Sequence, residues 1–146
     1  MKTLTVTFKR FDTSLPIPEY KTSGAAAFDL YAREETTIAA GKIGYIPLNI
    51  ALQLPEEYWA LVSARSSLHK RGLLLANGIG VGDYDFRGPN DEYKAPVLNF
   101  SDVEVTIEKG ERVVQMIIMH RHPVSLVELK EFEGQNRGGF GTTGRK

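Results

Sequence analysis

Short apolar stretches closed by turn signals recur along this chain, and none has the three-to-four-residue spacing of a long amphipathic helix. Thr3-Leu4-Thr5-Val6-Thr7-Phe8 alternates strictly, so its leucine, valine and phenylalanine share one face of a strand. The stretches Ile43 to Leu54, Tyr58 to Ser63, Val103 to Ile107, Val113 to Met119 and Val124 to Phe132 are rich in β-branched, aromatic or aliphatic residues and read as further strands. Punctuation falls between them at Ala40-Gly41-Lys42, Leu54-Pro55-Glu56 and Glu108-Lys109-Gly110. Many short strands at this spacing predict an all-β sandwich, jelly roll or barrel. One short helix is expected over Ser66 to Gly72, opened by a serine cap and closed by the glycine.

Length and composition narrow this picture without changing it. A chain of 146 residues with no internal repeat and no dividing linker reads as one domain, and it buries a sizeable core without disulfides, having no cysteine. Lysine and arginine total 18, as do aspartate and glutamate, so the formal charge is zero and a general polyanion-binding surface is not expected. Nucleic acid is therefore not an expected partner, and any phosphate must be held locally by a few placed cations and amides. The first residues enter the alternating run directly, with no signal-peptide succession, and no apolar run approaches the length of a membrane span. These features and the missing cysteines lead to an expected cytoplasmic location without membrane contact.

The last residues form a segment apart. Gln135 to Lys146 holds four glycines and a lone aromatic, Phe140, and cannot make a core element. It reads either as a solubilising tail or as a flexible arm whose amides and arginine wrap phosphates when a ligand arrives. A single phenylalanine between glycines favours the arm, giving a β domain over 1–134 and an arm over 135–146 that closes over a site.

Candidate chemistry sits in three places. In Gly78-Ile79-Gly80-Val81-Gly82-Asp83, alternate glycines leave one strand face bare, so a flat ligand can reach the backbone, and Asp83 at the strand end is placed to deprotonate a water; a plain hairpin with Asp83 and Asp85 as turn residues is the equal alternative. Arg65-Ser66-Ser67 joins a guanidinium, two hydroxyls and a helix start, which suits a polyphosphate, although an ordinary helix cap with a surface arginine is the commoner case. Asp29, in the small apolar run Gly24 to Ala32, is either a buried structural acid that needs a partner or a holder of water around a metal. His120 and His122 share a strand face but lack a third ligand for zinc, and no nucleophile elbow supports a Ser-His-Asp hydrolase.

Together and in this order, five segments resemble the motifs of the trimeric dUTPase family: Gly24 to Ala32, Val62 to Ser67, Asn77 to Gly88 with Asn77 six residues before Asp83, Gly110 to Met116, and Arg137 to Gly144. The resemblance spans nearly the whole chain. It implies a distorted jelly roll assembled as a homotrimer with sites at the subunit interfaces, hydrolysing dUTP to dUMP and pyrophosphate with Mg²⁺. It further implies that Asp83 is the general base that activates water against the α-phosphorus. Arg65, Ser66, Ser67 and Gln115 would contact phosphates, and Asp29 would meet Mg²⁺ through water, the metal being held mainly by the substrate. Asn77, Gly80, Val81 and Lys94 would take up uracil, with Phe86 against deoxyribose and Phe140 stacked on the base. Arg137, Gly141, Thr142 and Thr143 would close over the outer phosphates.

Several positions depart from that pattern. Phe86 stands where a tyrosine is usual and Gly82 where an aliphatic residue is usual, Pro89-Asn90-Asp91-Glu92 reads as a short insertion, and Gln135 takes the more usual arginine position ahead of Arg137. Two other functions use the same scaffold. A dCTP deaminase needs a carboxylate on the strand Lys94 to Asn99, where Pro96 stands instead. A nucleotide-responsive regulatory protein would not require Asp83.

Overall fold

The computed structural model describes residues 3–142 and 144. In chain order the strands are β1 (Thr7–Arg10), β2 (Phe28–Tyr31), β3 (Thr36–Ile38), β4 (Ile43–Pro47), β5 (Ile50–Gln53) and β6 (Tyr58–Ala64). A single 3₁₀ turn (Leu68–Arg71) follows, then β7 (Leu73–Leu75), β8 (Gly80–Gly82), β9 (Lys94–Asn99), β10 (Val105–Ile107) and β11 (Arg112–His120). All pairings are antiparallel. A four-stranded sheet has the order β2-β11-β6-β8 and a three-stranded sheet the order β4-β9-β7; β1 pairs with β5, and β3 with β10. This is the all-β, jelly-roll-like architecture the apolar pattern predicts.

One buried cluster joins the sheets. Leu30, Val114, Met116 and Ala60 from the four-stranded sheet meet Ile46, Val97, Ala95 and Leu73 from the other. Burying each large aliphatic side chain contributes about 1.5–3 kcal/mol, which makes this shared layer the main source of stability. Two fully enclosed asparagines are bonded throughout: Asn99 donates to the Ile38 and Val103 carbonyls, and Asn49 donates to the Asp12 carbonyl while its side-chain oxygen accepts from the Asp12 N–H.

Four element expectations need correction. The single strand expected over Ile43 to Leu54 is two strands, because Asn49 adopts φ 69° and its side chain ties the corner to Asp12. The first strand starts at Thr7 rather than Thr3. The helix over 66–72 is one 3₁₀ turn in which Ser67 makes no side-chain capping bond, although Gly72, at φ 75°, closes it as expected. Val124 to Phe132 forms no strand, and Val124, Leu126, Val127, Leu129 and Phe132 all lie exposed. β-Branched and aliphatic residues make a strand only where another edge completes the ladder, and this segment pairs with no strand among the described residues. No helix among the described residues is long and apolar enough to cross a membrane.

Candidate active site

The four-stranded sheet gathers four of the five singled-out segments. Gln115, on β11, lies opposite Asp29 of β2 on one side and Ser63 of β6 on the other. Gly80 of β8 lies opposite Val62 of β6, three residues before Arg65. Residues far apart in sequence are thereby fixed on adjacent strands, where side chains on one face meet.

At one end of this sheet stands a cluster of charge. Asp29 bonds Nε of Arg65 at 3.1 Å through one oxygen and Nη1 of Arg112 at 3.0 Å through the other. Arg65 also donates to the Arg112 carbonyl at 3.0 Å, and the Gln115 amide donates to the Ala64 carbonyl at 3.0 Å. The Asp29 side chain is 14% exposed and the arginines about a third, 32% and 34%, so the acid is mostly covered, and its two guanidinium partners still reach solvent. Asp29 is thus a partly buried acid with a guanidinium on each oxygen. Each of its oxygens keeps a lone pair, enough for a water but not for a protein-built metal cage. Arg112 was missed from the sequence, and its place in the same segment as Gln115 was the available signal. Ser66 and Ser67 are exposed beside this cluster. The turn they precede is a single 3₁₀ turn, so the helix-end attraction for anions expected there gives way to the arginines alone.

The second site element is a cleft of about 560 Å³ lined by Asn77, Gly80, Val81, Asp83, Phe86 and Lys94, among others. Here the structure brings together every residue assigned to the base, the sugar and the attacking water except Phe140. The expected hairpin is not a ladder: β8 pairs with β6, β9 pairs with β4 and β7, and the cleft opens between the two sheets. Nor is the glycine face uniformly bare. A Cβ on Gly82 would come within 2.6 Å of the Tyr93 ring, and one on Gly80 within 3.1 Å of Val62, so the chain itself covers that face, and only Gly78 stays open.

The polar groups of the cleft divide sharply. Asp83 opens a turn, with the Phe86 N–H donating to its carbonyl at 3.2 Å, so the turn alternative is partly right. Its carboxylate is nevertheless exposed and makes no hydrogen bond or ion pair among the described residues. The other acids lining the cleft are engaged. Asp91 accepts from the Gly88 N–H at 2.6 Å and closes the 89–92 insertion into a turn. Glu92 accepts two bonds from Arg33, at 2.7 and 3.1 Å, and one from the Asn49 N–H, and it holds the Arg33 guanidinium above its ordinary value. Tyr93, also missed from the sequence, packs edge-to-face on Phe86 with centroids 5.3 Å apart. Burial, and then the neighbouring Asp83 charge, push its phenol up to about 12.

Asp29, Arg65 and Gln115 do not line this cleft, and neither do the arm residues Arg137, Phe140, Gly141 and Thr142. Phe140 is fully exposed at φ 53°, and the arm's own bonds are local, from the Thr142 N–H to Gly139 and from the Gly144 N–H to Gly141. Thr143 lies outside the described residues.

Comparison with known proteins bears on the family and the fold. A family profile described as dUTPase matches residues 13–144. The deoxyuridine 5′-triphosphate nucleotidohydrolase of Hydrogenobaculum sp. (strain Y04AAS1) is 41% identical over 142 residues, covering 94% of this chain and 96% of that one. Its counterpart in Caldanaerobacter subterraneus subsp. tengcongensis is 40% identical over 136 residues, 89% of each chain. Among solved structures, a dUTPase from Streptococcus mutans superposes with TM-score 0.74 at 32% identity, over 81% of this chain and 98% of its own. A Staphylococcus bacteriophage 80alpha dUTPase with bound dUPNHPP gives TM-score 0.83 at 22% identity over 97% of this chain and 99% of its own, a likeness of fold.

Proposed function

The chain belongs to the dUTPase family, and from that premise we propose that Asp83 is the base with which it hydrolyses dUTP to dUMP and pyrophosphate. The observation that carries the assignment is the division of acids in the cleft: among the described residues Asp83 alone has a carboxylate without a partner. A general base must be free to accept a proton within reach of the attacking water, and Asp83 meets that condition where Asp91 and Glu92 do not. In the step, a water oxygen bonds the α-phosphorus and its proton passes to Asp83. The α–β bridging bond breaks, and its oxygen leaves with pyrophosphate.

The remaining roles follow the two site elements. The backbone around Gly80 and Val81, with Asn77 and Lys94, receives uracil, and Phe86 lies against the deoxyribose. Arg65 and Arg112, aimed by Asp29, face the phosphates together with Ser66, Ser67 and the free carbonyl of Gln115. Phosphoryl transfer requires chiefly positioning and charge neutralisation, which this cluster is built to supply. Among the described residues no three His, Cys, Asp or Glu side chains gather as metal ligands. That donor set fits a Mg²⁺ carried in on the triphosphate, with Asp29 reaching it through water, since Mg²⁺ keeps several waters and uses one or two carboxylates. When bound, the ion neutralises phosphate charge. A dUTPase of phage phi11 of S. aureus, 18% identical, is described as coordinating a structural Mg(II) ion.

A homotrimer accounts for what one chain leaves undone. The arginine cluster and the cleft do not form one cavity, and the apolar stretch from Val124 to Phe132 lies uncovered among the described residues. A neighbouring copy supplies both, and Phe140 with Arg137, Gly141, Thr142 and Thr143 closes over the bound nucleotide. The test is pyrophosphate release with Mg²⁺ across dUTP, dCTP, dTTP and UTP. Release confined to dUTP is the expected result, whereas ammonia from dCTP would point to the deaminase alternative, for which the structure offers only Pro96 at the required position.

A further inference from the structure

Tyr93 is the residue of the cleft whose chemistry is still unused. Its backbone is pinned just ahead of β9, its N–H donating to Ile50 at 3.0 Å and its carbonyl accepting from Leu48 at 2.9 Å. The residue is only 6% exposed, and its ring packs on Phe86 and occupies the space a Cβ on Gly82 would need. Among the described residues its hydroxyl is the one buried side-chain polar atom without a hydrogen-bond partner. Buried polar groups in folded proteins are almost always bonded, and an exception calls for a reason such as a catalytic role.

Gly82 supplies the reason for the phenol's position. Any side chain at 82 would collide with the Tyr93 ring, so the glycine and the tyrosine form a matched pair across the cleft. The residue after Gly82 is Asp83, whose carboxylate is exposed, has no partner among the described residues and lines the same cleft as Tyr93. A buried donor held in place and an exposed acceptor thus line one cleft, each without a partner among the described residues. The other charged groups lining the cleft do not compete for the phenol: Asp91 is bonded to Gly88, Glu92 to Arg33, and Lys94 has no acceptor.

We propose that Tyr93 is a positioning residue for the base: when nucleotide fills the cleft, its hydroxyl donates a hydrogen bond to one oxygen of Asp83 and leaves the other oxygen aimed at the attacking water. The proposal rests on Asp83 being the base. It also gives the two departures at Gly82 and Phe86 a common physical sense. Tyr93 fills the volume that a glycine leaves, and it brings to the cleft the phenol hydroxyl that Phe86 lacks.

The test is the pH dependence of kcat and KM for dUTP with Mg²⁺ in the full-length protein, for the unaltered chain, Tyr93→Phe and Asp83→Asn. Tyr93→Phe keeps the ring, the wedge against Gly82 and the contact with Phe86, and it removes an unpaired buried hydroxyl, so its thermal midpoint should not fall. Loss of a hydrogen bond to a charged group is expected to lower kcat about tenfold, with KM changed less than about twofold because binding groups are untouched. The acid limb of kcat, which reports the nucleotide-bound enzyme, should move to higher pH, because a donor to the carboxylate favours its charged form. Unchanged kcat and an unchanged acid limb in Tyr93→Phe would overturn the proposal and leave Tyr93 as packing. A fall in kcat with an unmoved acid limb would overturn it equally. Asp83→Asn separates the two ideas: if it turns over normally, the base assignment itself fails, whereas an inactive Asp83→Asn beside a fully active Tyr93→Phe refutes only the role of Tyr93.

Discussion

Replacing Asp29 by asparagine tests whether the phosphate cluster is an aimed device or a chance gathering of charge. The substitution keeps one oxygen, which still serves one arginine or one water, but it removes the anion that both guanidiniums share. Each Asp29–arginine contact spans about 3 Å between bonded atoms. Unit charges about 4 Å apart attract by about 4 kcal/mol at the effective dielectric of a protein surface. The arginines are about one-third exposed, so solvent screening reduces this strongly, towards the ~1 kcal/mol of well-placed surface pairs. Two such contacts give a loss of about 2 kcal/mol, below the 3–5 kcal/mol of a fully buried pair. At roughly 2–4 °C per kcal/mol for a chain of this size, the midpoint should fall by about 4–8 °C.

The functional consequence is worked from the same geometry. Arg65 is aimed by Asp29 and by the Arg112 carbonyl, and without the acid only the second restraint remains. Misplaced cations cost affinity for the triphosphate, so KM for dUTP should rise several-fold at saturating Mg²⁺, by analogy with lost positioning elsewhere. The Mg²⁺ concentration for half-maximal rate should move less than about twofold, because the ion is held chiefly by the substrate phosphates. Calorimetry at fixed protein concentration and steady-state kinetics at graded Mg²⁺ read all three quantities. An unchanged midpoint together with a large shift in Mg²⁺ requirement would refute the clamp and make Asp29 primarily a metal residue.

Asp83→Asn should retain the fold by circular dichroism and lose about 10²–10⁴-fold in kcat, the contribution of a positioned base; normal turnover would remove it from the mechanism. A chain ending at Gly134 should keep its fold and assembly but lose most pyrophosphate release, since ordering the arm costs about 1 kcal/mol per residue and is worthwhile only around a ligand. Light scattering should report three chains per particle; a monomer that turns over dUTP would sink the assembly. Phe86→Tyr should change dUTP kinetics modestly and keep discrimination against UTP, whereas Phe86→Ala should lower the preference by roughly ten- to hundredfold, the cost of setting a hydroxyl against an apolar ring. If Phe86→Ala keeps the full preference, the ring is not the gate.

What was legible in the sequence was local. Alternating and β-branched runs place β6, β10 and β11 within two residues because a half-buried strand imposes a period of two on its side chains. The corner at Asn49 was not legible, because the asparagine's φ of 69° depends on Asp12, thirty-seven positions earlier. The strand expected over Val124 to Phe132 fails for a related reason: composition reports fitness for a ladder, not the presence of an edge to complete it. At the site, Asp83, Arg65 and Gln115 were recognisable as residue types in order. Arg112 and Tyr93 were not, because their meaning is a contact: the arginine matters through Asp29 on a neighbouring strand, and the tyrosine through a glycine eleven positions back on a strand of another sheet.

The two site elements obey opposite rules, and that contrast says how the chain divides its work. In the phosphate cluster every carboxylate oxygen is already bonded, so the cations are set before the substrate arrives and little reorganisation is needed to receive negative charge. In the cleft the decisive groups, the Asp83 carboxylate and the Tyr93 hydroxyl, are left unbonded. A base already paired in the empty enzyme would have to break that pairing before it accepted a proton, and Asp91 and Glu92 are in that position. Leaving Asp83 unpaired and exposed at a turn keeps it able to swing, and it also exposes it to bulk water until something covers the cleft. Among the described residues the glycines of 138–141 and Phe140 bond only locally, which suits the proposed covering role. On the proposed assignment, the preset cluster would receive the phosphates and the unpaired cleft the base and sugar, and turnover would wait on the closure that the truncation and light-scattering experiments test.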